Sequence, residues 1–186
     1  MGRILMTMQM SLDGIVSNED KWMTLSEEIF EDYYEYYNTV ETIIVGSNSY
    51  SSLAQHWQNA EEFSKNPLEQ AIAKRINDIP KVVISRSEVN LVWRNSQQII
   101  AKDDKSLARE IMNLKNTAGK ISVESGVKTW QLFIQNDLFD DLWVLVHPVV
   151  VSQGEKLFAL ANKQFSMNLS SSKTYENGVV GLYYQK

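Results

Sequence analysis

Cysteine is absent from the 186 residues. That excludes disulfides, thiolate metal sites and cysteine nucleophiles outright. Histidine is almost absent too, with only His56 and His147. Neither has an acidic partner at ligand spacing, so no metal site is expected. His147 precedes Pro148 within an apolar run and reads as a hydrogen-bonded strand-end residue in preference to a ligand. Positive charge is in deficit, 18 Lys and Arg against 23 Asp and Glu, giving a net charge of −5. Binding to nucleic acid favours the opposite balance, so no such partner is expected. No apolar run approaches the roughly 18 residues of a membrane span, and no membrane partner is expected. Gln9, Ser11 and Asp13 interrupt the N-terminal apolar stretch before a signal-peptide core develops, so the expected location is the cytoplasm. Asn168-Leu169-Ser170 matches a glycosylation acceptor, but nothing else points to secretion and the match reads as chance.

What is present is an ordinary globular mixture, 44% hydrophobic and 22% charged, long enough for one domain spanning residues 1–186 with its own core. Strand-like runs at 4–10, 42–45, 81–85, 99–101, 120–123 and 142–150 alternate with helical patterns at 26–37, 68–76, 105–115 and 128–135. Thr24 and Glu27 form a candidate capping box for the first helix. Asn66-Pro67 supplies an N-cap and an N1 proline for the second. Gly119 stands where a helix C-terminus would close, and residues 58–66 read as a polar loop. Pro148, which has no N–H to pair, marks a strand edge, bulge or end. The alternation predicts an α/β fold with a mostly parallel sheet. Residues 165–175 and 179–184 flank Asn177-Gly178 and read as a hairpin with a type I′ turn, so the sheet is expected to finish antiparallel.

Ligands of open α/β sheets bind at the carboxyl ends of the strands. Three strand ends here carry small or polar residues. Gly46-Ser47-Asn48-Ser49-Tyr50 offers a glycine for close backbone approach and a helix start attractive to phosphate, though an ordinary strand–turn–helix cap explains it as well. Ser85-Arg86-Ser87 sets a guanidinium between two hydroxyls, a grouping suited to phosphate. Glu124-Ser125-Gly126-Val127-Lys128 again places small residues before a helix. Before all of them stands Ser11-Leu12-Asp13-Gly14, whose Asp-Gly pair is also a strong turn signal.

Taken in order, these segments and the run from Phe139 to Phe158 resemble the dihydrofolate-reductase-like superfamily, and most closely the RibD C-terminal type, the reductase of riboflavin biosynthesis. Ser11-Leu12-Asp13-Gly14 matches that branch's S-x-D-G. Gly46, Ser49 and Tyr50 match G-R-x-T/S-Y, with Ser47 in the arginine's place. Ser85-Arg86 matches an S-R pair that touches the 2′-phosphate, and Gly126 matches V-x-G-G, with Ser125 replacing the first glycine. The resemblance implies a three-layer dihydrofolate-reductase-like fold, a homodimer, and an NADPH-dependent reductase acting on a small pteridine- or pyrimidine-like molecule. It implies cofactor contacts at Gly14, Gly46, Ser47, Ser49, Ser85, Arg86, Ser125, Gly126, Val127 and Lys128. With Ser47 neutral, Arg86 alone would recognise the 2′-phosphate, and NADPH is expected to bind about tenfold tighter than NADH.

Asp13 is the expected proton donor, its pKa raised beside an apolar ring. Trp22 could cover a flat substrate. On the first helix Ile29, Phe30, Tyr33, Tyr36 and Tyr37 share one face, which leaves Glu27 and Asp32 at its borders as the carboxylates able to turn into a pocket. Dihydrofolate reductase proper would need one of them there. A binding protein that kept the fold and lost turnover is the other alternative, favoured by Ser47 and Ser125. Residues 142–151 and 179–184 supply the apolar strand surface expected to pair two copies.

Overall fold

Thr42-Ile43-Ile44-Val45-Gly46 is buried along its whole length, as a parallel strand covered on both faces requires. The computed structural model describes residues 2–186. In it this segment is β2 (Thr42–Gly46), within a single sheet that also holds β1 (Arg3–Ser11), β3 (Lys81–Ser85), β4 (Ser96–Ile100), β5 (Lys120–Val123), β6 (Asp141–His147), β7 (Asn168–Thr174) and β8 (Val180–Gln185). The order across the sheet is β4-β3-β2-β5-β1-β6-β8-β7. Strands β1 to β6 pair in parallel, while β8 runs antiparallel to β6 and β7. The expected α/β architecture with an antiparallel end is therefore present.

Alternating side chains along the central strands feed two cores. On one face Ile4, Met6, Ile44 and Ile121 pack against helices α4 (Asp104–Thr117) and α5 (Val127–Gln135) through Leu107, Ile111, Trp130 and Phe133. On the other, Leu5, Ile43, Val45 and Leu145 pack against α1 (Glu27–Thr39), α2 (Ser47–Phe63) and α3 (Pro67–Asp78) through Ile29, Tyr36, Tyr37, Tyr50 and Ile72. The apolar face read from the first helix is thus the buried one, with Phe30 and Tyr33 packed at its margin. Asn66 caps α3 as expected, its Oδ1 accepting from Leu68 N and Glu69 N ahead of Pro67.

Several local expectations are corrected. Residues 58–63, read as loop, form the last turns of α2, and only residues 64–66 connect to α3. The helix buries just Tyr50, Ala54 and Ala60, too sparse a stripe to register as periodicity. The N-cap of α1 is Ser26, without a side-chain capping bond, so Thr24 and Glu27 make no capping box. Gly119 is not left-handed; α4 closes at Ala118, and Gly119 N donates to Glu41 Oε2 at 3.0 Å. At the hairpin only Gly178 has positive φ, 81°, and Gly178 N donates to Tyr175 O at 2.9 Å. That is a type I turn with a following glycine bulge, not type I′. The strand surface expected to pair two copies is mostly consumed, because Leu142, Trp143, Val144 and Leu145 lie in the core and β7 covers β8. The exposed apolar groups of this end are Val150, Phe158, Leu160 and Leu169 instead.

Lys81, at the start of β3, is fully buried and donates to the carbonyls of Ile76 and Asn77 at 3.1 and 2.6 Å. These are last-turn carbonyls of α3, where a cation is favoured. Burial pulls its pKa down to about 8. Asn77, also fully buried, accepts from Trp93 Nε1 at 2.6 Å and donates to Trp57 O at 3.0 Å. One amide thus joins α2, α3 and the segment before β4. Asn77→Ala should lower the unfolding free energy by about 2–4 kcal/mol, because it strands the indole N–H and a carbonyl. Urea denaturation checks this, and a loss below about 0.5 kcal/mol would contradict it.

Candidate functional site

The chain adds β2, β3 and β4 outward on one side of β1, then returns to place β5 between β1 and β2 before crossing to β6. The carboxyl ends of β2, β3 and β5 border a groove of about 370 Å³. Gly46 and Gly126 are the N-caps of α2 and α5, and neither cap provides a side-chain hydrogen bond. The two helix starts press together. A Cβ on Gly46 would lie 2.1 Å from Thr129 Oγ1, and one on Gly126 would lie 2.8 Å from Ser49 Oγ. Only glycine permits this approach, which turns two helix N-termini toward the same space. Such termini favour anionic groups through their first-turn N–H groups and dipoles.

Of the sequence candidates, Gly46, Ser47, Ser49, Ser85, Arg86, Gly126, Val127 and Lys128 all line this groove. Ser125 does not. Its hydroxyl accepts from Gly46 N and donates to Thr129 Oγ1, each at 3.0 Å, tying the two helix starts together. Its φ is not positive, so the serine causes no left-handed strain there. Sequence reasoning missed Asn48, Ile84, Ala101, Leu107, Thr129, Leu132 and Glu155, which also line it. Most are the next residue or next turn of elements already singled out. Glu155 arrives from a distant segment, and no local pattern could have placed it.

That segment is clipped to the loop after β1. Val16 N donates to Glu155 O at 2.9 Å, Glu155 N donates to Ser17 Oγ at 2.9 Å, and Ile15 bridges Lys156. Asp13 supplies the remaining fastening. It accepts from Ser11 Oγ at 2.7 Å, Val151 N at 3.0 Å and Ser152 N at 2.8 Å. These bonds hold its pKa down, at about 2, the reverse of the raised value expected of a proton donor. A carboxylate this acidic and already occupied cannot serve as an acid near neutrality. Gly14, φ 84°, completes the turn below it and lies outside the groove lining.

Beneath α1 the other face of the sheet carries a polar chain. Tyr36 OH donates to Ser122 Oγ at 2.6 Å, and Ser122 Oγ donates to Glu124 Oε1 at 2.5 Å. Glu124 directly follows β5 and takes the end of this chain. Glu124 is half-buried, and burial pushes its pKa up to about 7. Alongside, His147 Nε2 meets Gln9 Oε1 at 2.6 Å, Gln9 Nε2 donates to Tyr33 OH, and Thr24 N donates to His147 Nδ1 at 3.3 Å. This pattern assigns the proton of a neutral imidazole to Nε2, and burial lowers the His147 pKa in the same sense. Glu124 was passed over in the sequence because its neighbours Ser125 and Gly126 drew the reading.

The remaining candidates sit elsewhere. Trp22 lies edge-on to His147, ring centroids 5.5 Å apart, and donates to Ser17 O. Glu27 is exposed in the first turn of α1. Asp32 faces β7 and β8, paired with Lys173 at 2.9 Å and accepting from Tyr175 OH at 2.7 Å, in a separate groove of about 400 Å³. Asp32 is engaged and Glu27 lies in solvent, so neither carboxylate is offered to a pteridine pocket, which argues against dihydrofolate reductase proper. Among the described residues no group of three His, Asp or Glu could hold a metal, and no helix is long and apolar enough to cross a membrane.

The fastening by Asp13 has a measurable signature. A depressed carboxylate contributes stability that is complete above its ordinary pKa of 3.8 and lost as pH falls through about 2. Hydrogen exchange at Val151 and Ser152 should therefore accelerate in Asp13→Asn at neutral pH. Unchanged protection would show that the loop is held without it.

Comparison with known proteins agrees with this geometry. Over residues 3–181 the chain matches the model of the RibD C-terminal domain. It is 25% identical over 186 residues to the uncharacterised protein YyaP of Bacillus subtilis (strain 168), covering 98% of this chain and 94% of that protein. A Shewanella sp. PV-4 protein attributed to riboflavin biosynthesis superposes with a TM-score of 0.74 at 16% identity, over 98% of each chain. A pyrimidine reductase-like protein from Corynebacterium diphtheriae superposes at 0.64 and 12% identity, over 99% of this chain and 91% of that one. The deaminase/5-amino-6-(5-phosphoribosylamino)uracil reductase of Thermotoga maritima gives 0.66 at 14%, with 99% of this chain spanning 56% of that longer protein. With its dihydrofolate-reductase-like sheet, this chain belongs to the RibD C-terminal domain family.

Proposed function

We propose that this protein is a reductase that takes hydride from a reduced nicotinamide dinucleotide, NADPH or NADH, to a small pteridine- or pyrimidine-like substrate in the cytoplasm. The observation that carries the reading is the pair of glycine-started helices, α2 and α5, facing one groove. Their first-turn amides suit a diphosphate, with Lys128 and Arg86 on the rim. The reductases among its structural relatives support the reaction class. Reduction of a phosphoribosylaminopyrimidine, as in riboflavin synthesis, is the nearest named activity.

A bound nicotinamide would supply the hydride. The chain's own task is to orient the substrate, exclude water and supply a proton. Glu124 is suited to the last because burial pushes its carboxyl up to about 7, so that a substantial fraction keeps its proton at neutrality. The His147–Gln9–Tyr33 chain, fixed as donors and acceptors of known sense, is suited to orienting a polar ring.

Glu124→Gln should cut turnover of a pyrimidine or pteridine substrate by about 10²-fold or more while leaving dinucleotide affinity unchanged. Activity of the unaltered protein should fall as pH rises through about 7, as the carboxyl loses its proton. A raised folded-state pKa also contributes stability that is complete below 4.5 and lost as pH rises through 7. That slope should be missing from the glutamine variant in urea titrations. Full turnover in the variant, or failure of both dinucleotides to bind, would overturn the assignment.

A homodimer is proposed as the working assembly. Strand β7 is exposed along its whole length at the open end of the sheet, and Val150, Phe158, Leu160 and Leu169 leave apolar surface at this end of the molecule. Light scattering at micromolar concentration should give twice the 21.4 kDa chain mass. A mass of one chain would contradict it.

A further inference from the structure

At the rim of the groove β3 runs out into Arg86, and α4 begins beside it. Arg86 has the geometry to grip a phosphate, but its fork is occupied. Nη1 donates to Ala101 O at 2.9 Å and Nη2 donates to Asp104 Oδ1. The neighbouring Ser85 hydroxyl is also engaged, donating to Ser87 O and accepting from Gln98 Nε2, both at 2.6 Å. Asp103 caps α4 through Ser106 N at 2.7 Å, and its pKa is lowered by that bond. One arginine therefore stands against two carboxylates. Across the groove Ser47 adds no charge.

We infer that Asp104 sets the choice between the two dinucleotides: by holding Arg86 it suppresses recognition of a 2′-phosphate, so NADH binds at least as tightly as NADPH. This rests on the dinucleotide reading of the groove. A 2′-phosphate would have to take Arg86 from Asp104 and then lie beside two carboxylates of its own sign. An unphosphorylated ribose meets no such conflict, since its hydroxyls donate to a carboxylate and leave the ion pair intact. Arg86 and Asp104 keep 50% and 45% of their side-chain exposure, so solvent screens the pair and the effect is tens-fold at most, not thousands.

Calorimetric titration of the whole chain with NADH and with NADPH tests this without any substrate. The unaltered protein should bind NADH as tightly as NADPH or more so. Asp104→Asn, an exposed and nearly isosteric change, should move the ratio about tenfold toward NADPH by freeing Arg86 and removing one repulsive charge. Adding Arg86→Ala to that variant should abolish the gain in the ratio. A tenfold preference for NADPH in the unaltered protein, or an unchanged ratio in Asp104→Asn, overturns the inference and leaves the groove assignment standing. If the folded protein binds neither dinucleotide, the groove assignment fails, and the inference with it.

Discussion

Strand β5 is bonded to β1 on one side, with Ile121 beside Ile4, and to β2 on the other, with Ile121 beside Thr42. It enters the sheet late, after β2, β3 and β4 have been laid down in sequence order, and so brings Gly126 next to Gly46. The site depends on that insertion. Two helices that start from adjacent parallel strands would ordinarily keep side chains between their first turns. Here glycine at both caps lets Thr129 and Ser49 fill that space, and the amide ends of α2 and α5 open onto one groove. Ser125 reinforces the junction through Gly46 N, which explains how a serine is accommodated where the family has glycine.

Two carboxylates show how far environment outweighs residue type. Asp13 and Glu124 both lie just beyond the carboxyl ends of neighbouring strands, β1 and β5. Asp13 stays near solvent and takes two backbone N–H groups and a hydroxyl, so its charged form is favoured down to about 2. Glu124 lies beneath the tyrosines of α1 and accepts from the Ser122 hydroxyl with no positive charge beside it, so burial holds its neutral form up to about 7. The first is held ionised as a fastener, and the second is held toward its neutral form. The same logic governs Arg86, whose usefulness toward a phosphate depends on Asp104, eighteen residues further along the chain.

Neutral, donor-rich tyrosines also explain why the α1 face can be both core and site. Tyr33, Tyr36 and Tyr37 bury their rings with Ile29 against β1, β5 and β6, while the hydroxyls of Tyr33 and Tyr36 meet Gln9 and Ser122. These two hydrogen bonds fix the orientation of the Tyr33 and Tyr36 rings. The acidic residues of the helix are left outside, Asp32 paired across to Lys173 and Glu27 in solvent.

Much of this was written into the sequence. The β-branched runs at 42–45, 81–85 and 120–123 became strands at nearly those bounds, Asn66-Pro67 began a helix, Pro148 ended β6, and the α1 pattern named its buried face, because each is a local preference of period 2, period 3.6 or fixed φ. The glycines at 46 and 126 were legible as places of close approach, and eight of the ten cofactor candidates share one groove. Helix α2 was obscured because its buried stripe is three residues wide, and the hairpin turn type because Asn177 did not adopt positive φ. The roles of Asp13, Glu124 and Arg86 belong to the tertiary structure alone. Each was decided by partners brought from elsewhere in the chain: Val151 and Ser152 for Asp13, Tyr36 acting through Ser122 for Glu124, and Asp104 for Arg86. A side chain's charge state is set by distance and burial, and neither exists until the chain has folded.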